Sequence, residues 1–382
     1  MKAKKNILLF IDWFYPGFLA GGPVQSIVSL VEHLHDEFQF WIFTSNRDLN
    51  SVEPYPGIEN NTWTDSPMNC KVYYADASTL SKQLIRDVLG SQKWDKVYIN
   101  SLFSKYYSVV PLLLLKRKFK HLPVIVAPRG MFGAGALSIK KVKKRSFLFY
   151  AQHSGLHKRV LWHAASNSEA KEIRERLGDE VRLVIAPNLS KQIKAIEHKV
   201  KVRGELNLFF SSRISQVKNI LFALEVLSDV KQAAITFHLY GLMEDQNYWG
   251  QCLNSIARLP EHVKVKYLGT YRPHEAEAVF SKEHVLFLPT LNENYGHSIV
   301  ESLSSGCPAI ISDQTPWKDL QEHGAGYALP LSNRKAFVEA IETVASMDEA
   351  EFSLMRNKAI LYTHHKININ AILQQYKTLF HE

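Results

Sequence analysis

The sequence is poor in the features that build disulfide scaffolds, secretion signals and membrane spans. Its 382 residues include only three cysteines, Cys70, Cys252 and Cys307, and no two of them form a C-x-x-C pair. We therefore expect no disulfide framework and a reducing, cytoplasmic compartment. The longest apolar run, 109–115, falls well short of the roughly 20 residues that a transmembrane helix needs. The first apolar run, 7–11, is too short for the core of a signal peptide. These absences favour a soluble or peripheral protein.

The overall composition is that of an ordinary folded protein with a basic excess. Hydrophobic residues make up 46% and charged residues 22% of the chain, and there is no low-complexity segment. The 46 Lys and Arg against 37 Asp and Glu leave a formal charge of +9, which suits phosphates, anionic lipid headgroups or nucleic acid. No recognised nucleic-acid motif and no repeat of basic and aromatic residues is present, so we expect no nucleic-acid partner.

Short apolar runs alternate with helix-length amphipathic segments along most of the chain. The predicted strands are 6–11, 38–44, 71–74, 96–99, 124–127, 159–164 and 181–185, followed by 206–211, 234–240, 263–268, 285–288, 309–312 and 327–329. Continuous apolar strands separated by helices indicate parallel sheets covered on both faces. The sequence therefore predicts an α/β protein of two doubly wound, Rossmann-like domains facing each other across a cleft, with ligands at the carboxyl ends of the strands.

The charged stretch 191–204 separates the two sets of strands. We interpret it as an interdomain linker, because each side holds enough strands for a sheet of its own. This gives an N-terminal domain over 1–190 and a C-terminal domain over 205–364. The final segment, 365–382, has helical apolar spacing and is predicted to pack back on the first domain.

The most informative motif is the string of residues 288–317. A buried strand leads into a polar loop, Gly296 opens a helix, Gly306 ends it, and another strand follows. Gly296 allows close approach of a ligand to the backbone. The first-turn amides of Gly296, His297 and Ser298 are then expected to donate to a phosphate, because first-turn amides have no partner within their helix.

Two glutamates accompany this helix start. Glu301 lies one turn into the helix, where a carboxylate can accept hydrogen bonds from two ribose hydroxyls. Glu293 lies on the loop before the helix, and we expect it at the sugar end of a nucleotide-sugar. A pair of acids eight residues apart carries little information alone, and an exposed helix with a stray acid would show the same spacing.

The complete string resembles retaining glycosyltransferases of the GT-B fold, in particular glycosyltransferase family four. The resemblance rests on Glu293, Tyr295-Gly296, Glu301 and Gly306-Cys307-Pro308, which match the acid, aromatic-glycine, acid and Gly-x-Pro pattern of that family. The ending 312–317 (SDQTPW) is similar to the branch that builds bacterial surface polysaccharides. The resemblance extends over nearly the whole chain, although its specific motifs lie in the second half.

Arg213 and Lys218 follow the first strand of the second half. A guanidinium and an ammonium suit a diphosphate, although two solvated cations after a strand would look the same. The family carries an Arg and a Lys with this spacing, and the resemblance implies that they neutralise the leaving nucleoside diphosphate. Because no D-x-D triplet occurs in the sequence, we expect catalysis without a metal and without any cofactor.

Further candidates lie in the first half. Gly21 and Gly22 follow the first strand and resemble the family's first loop, which lies over donor and acceptor; a plain strand-to-helix turn would also fit. Relatives commonly carry a histidine near the sugar where this chain has Asn100, and an amide can hydrogen-bond a sugar hydroxyl but cannot act as a base. Arg129 follows a strand and is a candidate sugar or acceptor contact.

The segment 137–150 combines one apolar stripe with five consecutive or near-consecutive cations between positions 140 and 145. A basic amphipathic helix of this kind suits an anionic membrane surface, and a solvated helix on a core would show the same pattern. Because such enzymes often use lipid-linked acceptors, we interpret it as a peripheral contact with the inner face of the cell membrane.

Together these features predict a retaining, metal-independent hexosyltransferase. It would move a sugar from a nucleotide-sugar, UDP-linked rather than GDP-linked, to a hydroxyl of a growing lipid-linked glycan of bacterial capsule or lipopolysaccharide. A nucleotide-sugar epimerase or a sugar phosphorylase on the same scaffold is the enzymatic alternative, and a basic nucleic-acid-binding protein is the other. An epimerase would change the sugar of the donor without any acceptor.

Overall fold

The computed structural model describes residues 4–133, 148–149, 151, 153–191, 193–194 and 196–382. The chain divides into two compact units. The first comprises Met1–Leu189 and Ile369–Glu382, and the second comprises Ser190–Asn368. Each unit contains a predominantly parallel β-sheet with its own helices.

The first unit has an eight-stranded sheet. Its strands are β1 Lys5–Phe10, β2 Phe38–Ser45, β3 Trp63–Ser66, β4 Cys70–Ala75, β5 Lys96–Ile99, β6 Val124–Val126, β7 Val160–Ala164 and β8 Leu183–Ile185. They are ordered β3-β4-β2-β1-β5-β6-β7-β8, and all neighbours are parallel except β3 with β4. Its α-helices include α1 Gly22–Leu34, α2 Lys82–Gly90, α3 Val110–Arg117 and α4 Asn167–Leu177.

The centre of this sheet is apolar on both faces, as expected for parallel strands between helices. All four residues of β5 are buried, and β1 pairs with both β2 and β5. The edge strand β3 is absent from the predicted set, because its sequence WTDS is short and half polar. It is held by aromatic packing, since the rings of Trp63 and Trp41 meet edge to face at 5.1 Å.

The second unit has a six-stranded parallel sheet. Its strands are β9 Glu205–Ser211, β10 Ala234–Tyr240, β11 Val263–Gly269, β12 Val285–Leu288, β13 Ala309–Ser312 and β14 Gly326–Leu329, ordered β11-β10-β9-β12-β13-β14. Its helices are α5 Ile220–Asp229, α6 Gln246–Ile256, α7 Ala276–Phe280, α8 His297–Ser305, α9 Arg334–Ser346 and α10 Glu349–Lys366. Strands β12 and β13 are buried throughout, so their ends position the loops that carry the candidate site.

The stretch 191–204, which the sequence suggested as a linker, is counted with the second unit. Ile193 is buried, and its amide donates to Ser304 Oγ at 3.0 Å. The ammonium of Lys201 donates to the carbonyl oxygens of Ala345 and Met347 at 2.9 and 3.2 Å. Most of the other described residues of this stretch are exposed or half-exposed, and its role as a linker stays a prediction.

The C-terminal helix, α11, spans Ile369–His381 and is counted with the first unit. Its buried face includes Tyr376 and Phe380. The ring of Phe380 packs on Phe38 of β2 at 5.2 Å between centroids. This helix therefore covers the first sheet although it follows the second unit in the sequence.

Of the segment 137–150, the structure describes only Leu148 and Phe149, and Phe149 is exposed. The basic residues between 140 and 145 lie outside the described residues, so the membrane contact stays a prediction. Among the helices that are described, none combines the length and apolarity that crossing a bilayer requires.

Candidate active site

Arg213 follows the carboxyl end of β9, beside the loop after β10. An isolated parallel bridge joins Ile214 to Met243 and fixes the two loops side by side. Arg213 Nη1 donates to Glu244 Oε1 at 2.8 Å, and both side chains are more than one-third exposed. Because an exposed ion pair contributes little stability, a ligand phosphate can displace it at low cost.

Lys218 ends a short turn, Gln216–Lys218, that precedes α5. The turn is tied to the loop after β12, because the amide of Leu291 donates to the Val217 carbonyl at 2.8 Å. Within this frame Lys218 Nζ contacts the Glu293 carboxylate, and their side chains are only 12% and 17% exposed. Two residues that the sequence predicted as catalytic, 75 positions apart, are therefore in direct contact.

Gly296 ends the same loop and begins α8. Its φ of 85° lies in the left-handed region, and a Cβ there would come within 2.8 Å of Ile299 Cδ1 and 3.2 Å of Glu293 Cγ. Within the described residues no side chain caps this helix start. The first-turn amides include those of His297 and Ser298. They lie at the N-terminal, positive end of the helix dipole, where an anion is stabilised. Glu293 and the helix start thus form one site.

Replacing Gly296 by alanine is expected to destabilise the protein by about 1–3 kcal/mol, from the left-handed backbone and the clash with Ile299. Gly250 offers a matched control, because it lies inside α6 and a Cβ added there would meet nothing within 4 Å. Gly250→Ala should be neutral or stabilising by about 0.5–1 kcal/mol. Urea unfolding of both variants measures the difference, and equal midpoints would show that the site backbone carries no such constraint.

Glu301 projects from the second turn of α8 and is almost fully buried. Burial raises the pKa of its carboxyl to about 8, and Lys191 opposes that rise only in part. The charge of Glu301 also contributes to the raised pKa of Tyr271, after burial as the main cause. Tyr271 shares a hydrogen bond of 2.6 Å with Ser211 Oγ at the end of β9. Glu301 is therefore a carboxyl group near the end of β9 that keeps its proton up to about pH 8. Its carbonyl oxygen can accept a hydrogen bond from a hydroxyl.

The double-glycine loop of the first unit is ordered by Asp48, which the sequence did not single out. Its carboxylate accepts hydrogen bonds from the amides of Phe18 and Leu19, at 2.8 and 3.1 Å. Gly21 then takes φ 68° and caps α1, which begins at Gly22. No pattern in the sequence links a loop acid to amides 30 residues earlier, so this role emerges only from the fold.

Arg129 and Asn100 come together in the first unit. Arg129 Nε donates to Asn100 Oδ1 at 2.7 Å, and Nη2 donates to Tyr98 Oη at 2.8 Å. A further contact joins Nη1 to Asn188 Oδ1. Arg129 thus binds the protein's own side chains, and contact with a sugar or acceptor would require it to release one of them.

The same network contains a histidine that carries no charge. His163 Nε2 donates to the carbonyl of Ala186 at 2.8 Å, which leaves Nδ1 to accept from Tyr98 Oη at 2.7 Å. Burial, and then the charge of Arg129, lower the pKa of His163 to about 3. It is a neutral structural histidine. Nearby, Glu169 accepts from the amides of Gly130 and Ala165, so this buried acid orders the loop that follows β6.

In the described part of the chain, no three His, Cys, Asp or Glu side chains are grouped as they would be around a metal ion. The predicted site residues instead form two sets. Lys218, Glu293, Gly296 and Glu301 line the end of the second sheet, with Arg213 on the adjoining loop. Gly21, Gly22, Asn100 and Arg129 follow strands β1, β5 and β6 of the first unit.

Two units that each contain a predominantly parallel sheet with its own helices are the architecture of the GT-B fold. Residues 191–360 match the family model described as glycosyl transferases group 1. The predicted fold is confirmed by solved structures. HepE from Anabaena, in complex with UDP and glucose, superposes with a TM-score of 0.71 over 100% of both chains at 15% identity.

Two further relatives have names connected with bacterial surface glycans. The glycosyltransferase WaaG, described as involved in lipopolysaccharide biosynthesis, is 10% identical, with a TM-score of 0.66 over 98% of this chain and 99% of its own. The O-antigen chain mannosyltransferase RfbU of Salmonella typhimurium strain LT2 is 28% identical over 87 residues. That match spans 23% of this chain and 24% of RfbU, about a quarter of the relative's length.

Proposed function

We propose that the protein is a retaining glycosyltransferase that moves a sugar from a UDP-sugar to a hydroxyl of a growing, lipid-linked bacterial glycan. The observation that carries this proposal is the grouping of Lys218, Glu293, Gly296 and Glu301 at one end of the second sheet. A cation, a helix start and a buried carboxyl are what a diphosphate and a ribose require.

The chemistry follows from where charge develops. As the bond between sugar and diphosphate breaks, negative charge accumulates on the leaving phosphate, and groups already oriented toward it lower the barrier. Lys218, Arg213 and the amides at the start of α8 supply that stabilisation in the proposal. Glu293 orients Lys218 and positions the transferred sugar. In a retaining reaction of this kind the leaving phosphate accepts the acceptor's proton, so Asn100 need not act as a base.

Relatives support the class of donor and product. HepE is described in complex with UDP and glucose, RfbU is named a mannosyltransferase of O-antigen chains, and WaaG is linked to lipopolysaccharide. We extend these features to this chain as a proposal, together with a cytoplasmic location on the inner face of the membrane. An epimerase or phosphorylase on the same scaffold is less well supported, because the sequence contains no motif for the acid–base groups or the second phosphate site that these reactions need.

The test is a thermal-shift comparison of UDP, GDP, UDP-glucose and GDP-mannose, with ATP as control. A ligand at 100 times its Kd should stabilise the protein by about 2.7 kcal/mol, and UDP compounds should act at the lowest concentration. Release of UDP from the donor should persist in EDTA, since cationic side chains perform the role of a metal in this proposal. No shift with any nucleotide would overturn the assignment, whereas loss of turnover in EDTA would overturn metal independence alone.

A further inference from the structure

The segment 312–317 (SDQTPW) begins at the last residue of β13 and runs into the loop that follows. None of its side chains has a part in the proposed reaction. Strands β12 and β13 are parallel neighbours, so this segment lies beside the loop that follows β12. We call that loop, residues 290–296, the site loop, because it carries Glu293 and ends at Gly296, where α8 begins. The segment is therefore placed to hold the site loop in shape.

Two hydrogen bonds join the segment to the beginning and the middle of the site loop. Ser312 Oγ donates to the Thr290 carbonyl at 2.5 Å, and the Glu293 amide donates to the Gln314 carbonyl at 3.0 Å. Ser312 and Thr290 are fully buried, so the bond between them is shielded from water. The backbone that carries Glu293, the partner of Lys218, is therefore held from the side of β13.

Trp317 holds the end of the site loop. Its indole Nε1 donates to the Tyr295 carbonyl at 2.5 Å. That carbonyl belongs to the same peptide group as the Gly296 amide. Because a peptide group is planar and trans, its C=O and N–H point in opposite directions, and a fixed carbonyl fixes the direction of the amide. Trp317 therefore sets the direction of the first amide that we expect to donate to a phosphate.

The ring of Trp317 is enclosed by the protein. It is 5% exposed, and Tyr295 and Tyr362 meet it edge to face with centroids 5.8 and 6.2 Å away. Tyr362 lies on α10 and is itself held, because its hydroxyl donates to Asp319 Oδ1 at 2.6 Å. The amide of Trp317 donates to Thr315 Oγ1 at 3.1 Å. With its ring covered in this way, Trp317 is not available to stack on a nucleobase, and it acts on the protein's own backbone.

We propose that the segment 312–317 orients the backbone that binds the diphosphate of the nucleotide-sugar, with Trp317 as the positioning residue. By holding the Tyr295 carbonyl, Trp317 keeps the Gly296 amide aimed at a phosphate at the start of α8. The inference rests on the proposed function and adds a residue that acts on the phosphates without touching them. Residues 299–305 of α8 are all buried and do not depend on this bond. Ribose binding should therefore be independent of Trp317.

The experiment compares uridine with UDP by isothermal titration calorimetry on the full chain, at a temperature well below Tm. Trp317→Phe keeps an aromatic ring and deletes the indole N–H. It should raise the Kd of UDP about tenfold, the effect of impairing one hydrogen bond to a charged group, and leave the Kd of uridine within about twofold. A merely structural tryptophan would lower Tm and leave the ratio of the two Kd values unchanged, so this ratio identifies the positioning role.

Ser312→Ala is a second variant, which leaves Trp317 in place and removes only the hydroxyl that holds Thr290. It should raise the Kd of UDP relative to uridine about threefold, as for a neutral hydrogen bond. Trp94→Phe is the matched control. Trp94 is also buried and its indole also donates to a backbone carbonyl, that of Val88 at 3.2 Å, but it precedes β5 in the first unit. Both Kd values should stay at the wild-type level in this control.

The outcomes separate the inference from the proposed function. If wild type binds UDP and Trp317→Phe keeps the wild-type ratio of Kd values, the inference is overturned and the proposed function stands. A changed ratio in Trp94→Phe would also overturn it, because loss of any buried indole bond would then have the same effect. Where Trp317→Phe does not fold, the ratio in Ser312→Ala decides in the same way. If wild type binds neither UDP nor uridine, the proposed function fails and the inference fails with it.

Discussion

Lys218→Met should lower turnover by about 10²–10³-fold, the usual effect of removing one group that stabilises transition-state charge. Methionine keeps most of the side chain's volume, so the turn Gln216–Lys218 should remain intact. The variant also leaves the Glu293 carboxylate without its cation in a mostly buried position, where an unpaired charge is unfavourable. We expect kcat to fall more than the affinity for UDP-sugar, because charge on the diphosphate grows only as the bond breaks.

Initial rates of UDP release measure this effect, and Lys335→Met is a suitable control. Lys335 also pairs with a glutamate, Glu339, but on the exposed surface of α9. Its loss should leave turnover within twofold. Equal kcat for wild type and Lys218→Met would remove the lysine from the reaction. If kcat falls and Tm also falls markedly, the loss of the Lys218–Glu293 contact has damaged the fold, and the lower kcat does not show a catalytic role for the lysine.

The architecture was largely predictable because parallel sheets leave a strong sequence signal. Strands buried on both faces read as unbroken apolar runs, and β5, β10, β12 and β13 match their predicted bounds residue for residue. The helix α8 also has its predicted length, because glycine flanks it at both ends. The signal failed for β3, because this short strand has a half-polar sequence and is held by the packing of Trp63 on Trp41.

Local sequence pattern predicted the proximity of site residues only where they lie close together in the chain, whereas Lys218, 75 positions from Glu293, was predicted from the family resemblance. Glu293, Gly296 and Glu301 share one strand-loop-helix unit, so their proximity follows from local structure. By contrast, Asp48 reaches amides 30 positions away, and Asp12 meets serines about 90 positions away. Such contacts depend on which strands become neighbours. That order is set by packing of the whole sheet, and periodicity in one sequence does not reveal it.

Glu301→Gln is expected to make the protein more stable and a poorer binder of UDP. The Glu301 carboxyl has a pKa of about 8 in the fold, whereas an unfolded glutamate titrates near its ordinary value of 4.5. Between these values the folded state holds a proton that the unfolded state has released, so wild-type stability falls as pH rises. Glutamine carries no such pH-dependent cost, so the stability advantage of Glu301→Gln should grow from nothing at pH 4 to about 5 kcal/mol by pH 9.

Chemical unfolding of both proteins across this pH range measures the gain, with the exposed Glu322→Gln as control. Above pH 8, where Glu301 is ionised, UDP affinity should nevertheless drop about 10–100-fold in Glu301→Gln, the effect of losing hydrogen bonds to a charged acceptor. A pH-independent stability difference would mean that Glu301 is ionised in the fold. Unchanged UDP affinity would place the ribose elsewhere. If both expectations hold, this carboxyl opposes folding and favours the nucleotide, so its presence is explained by ligand binding and not by packing.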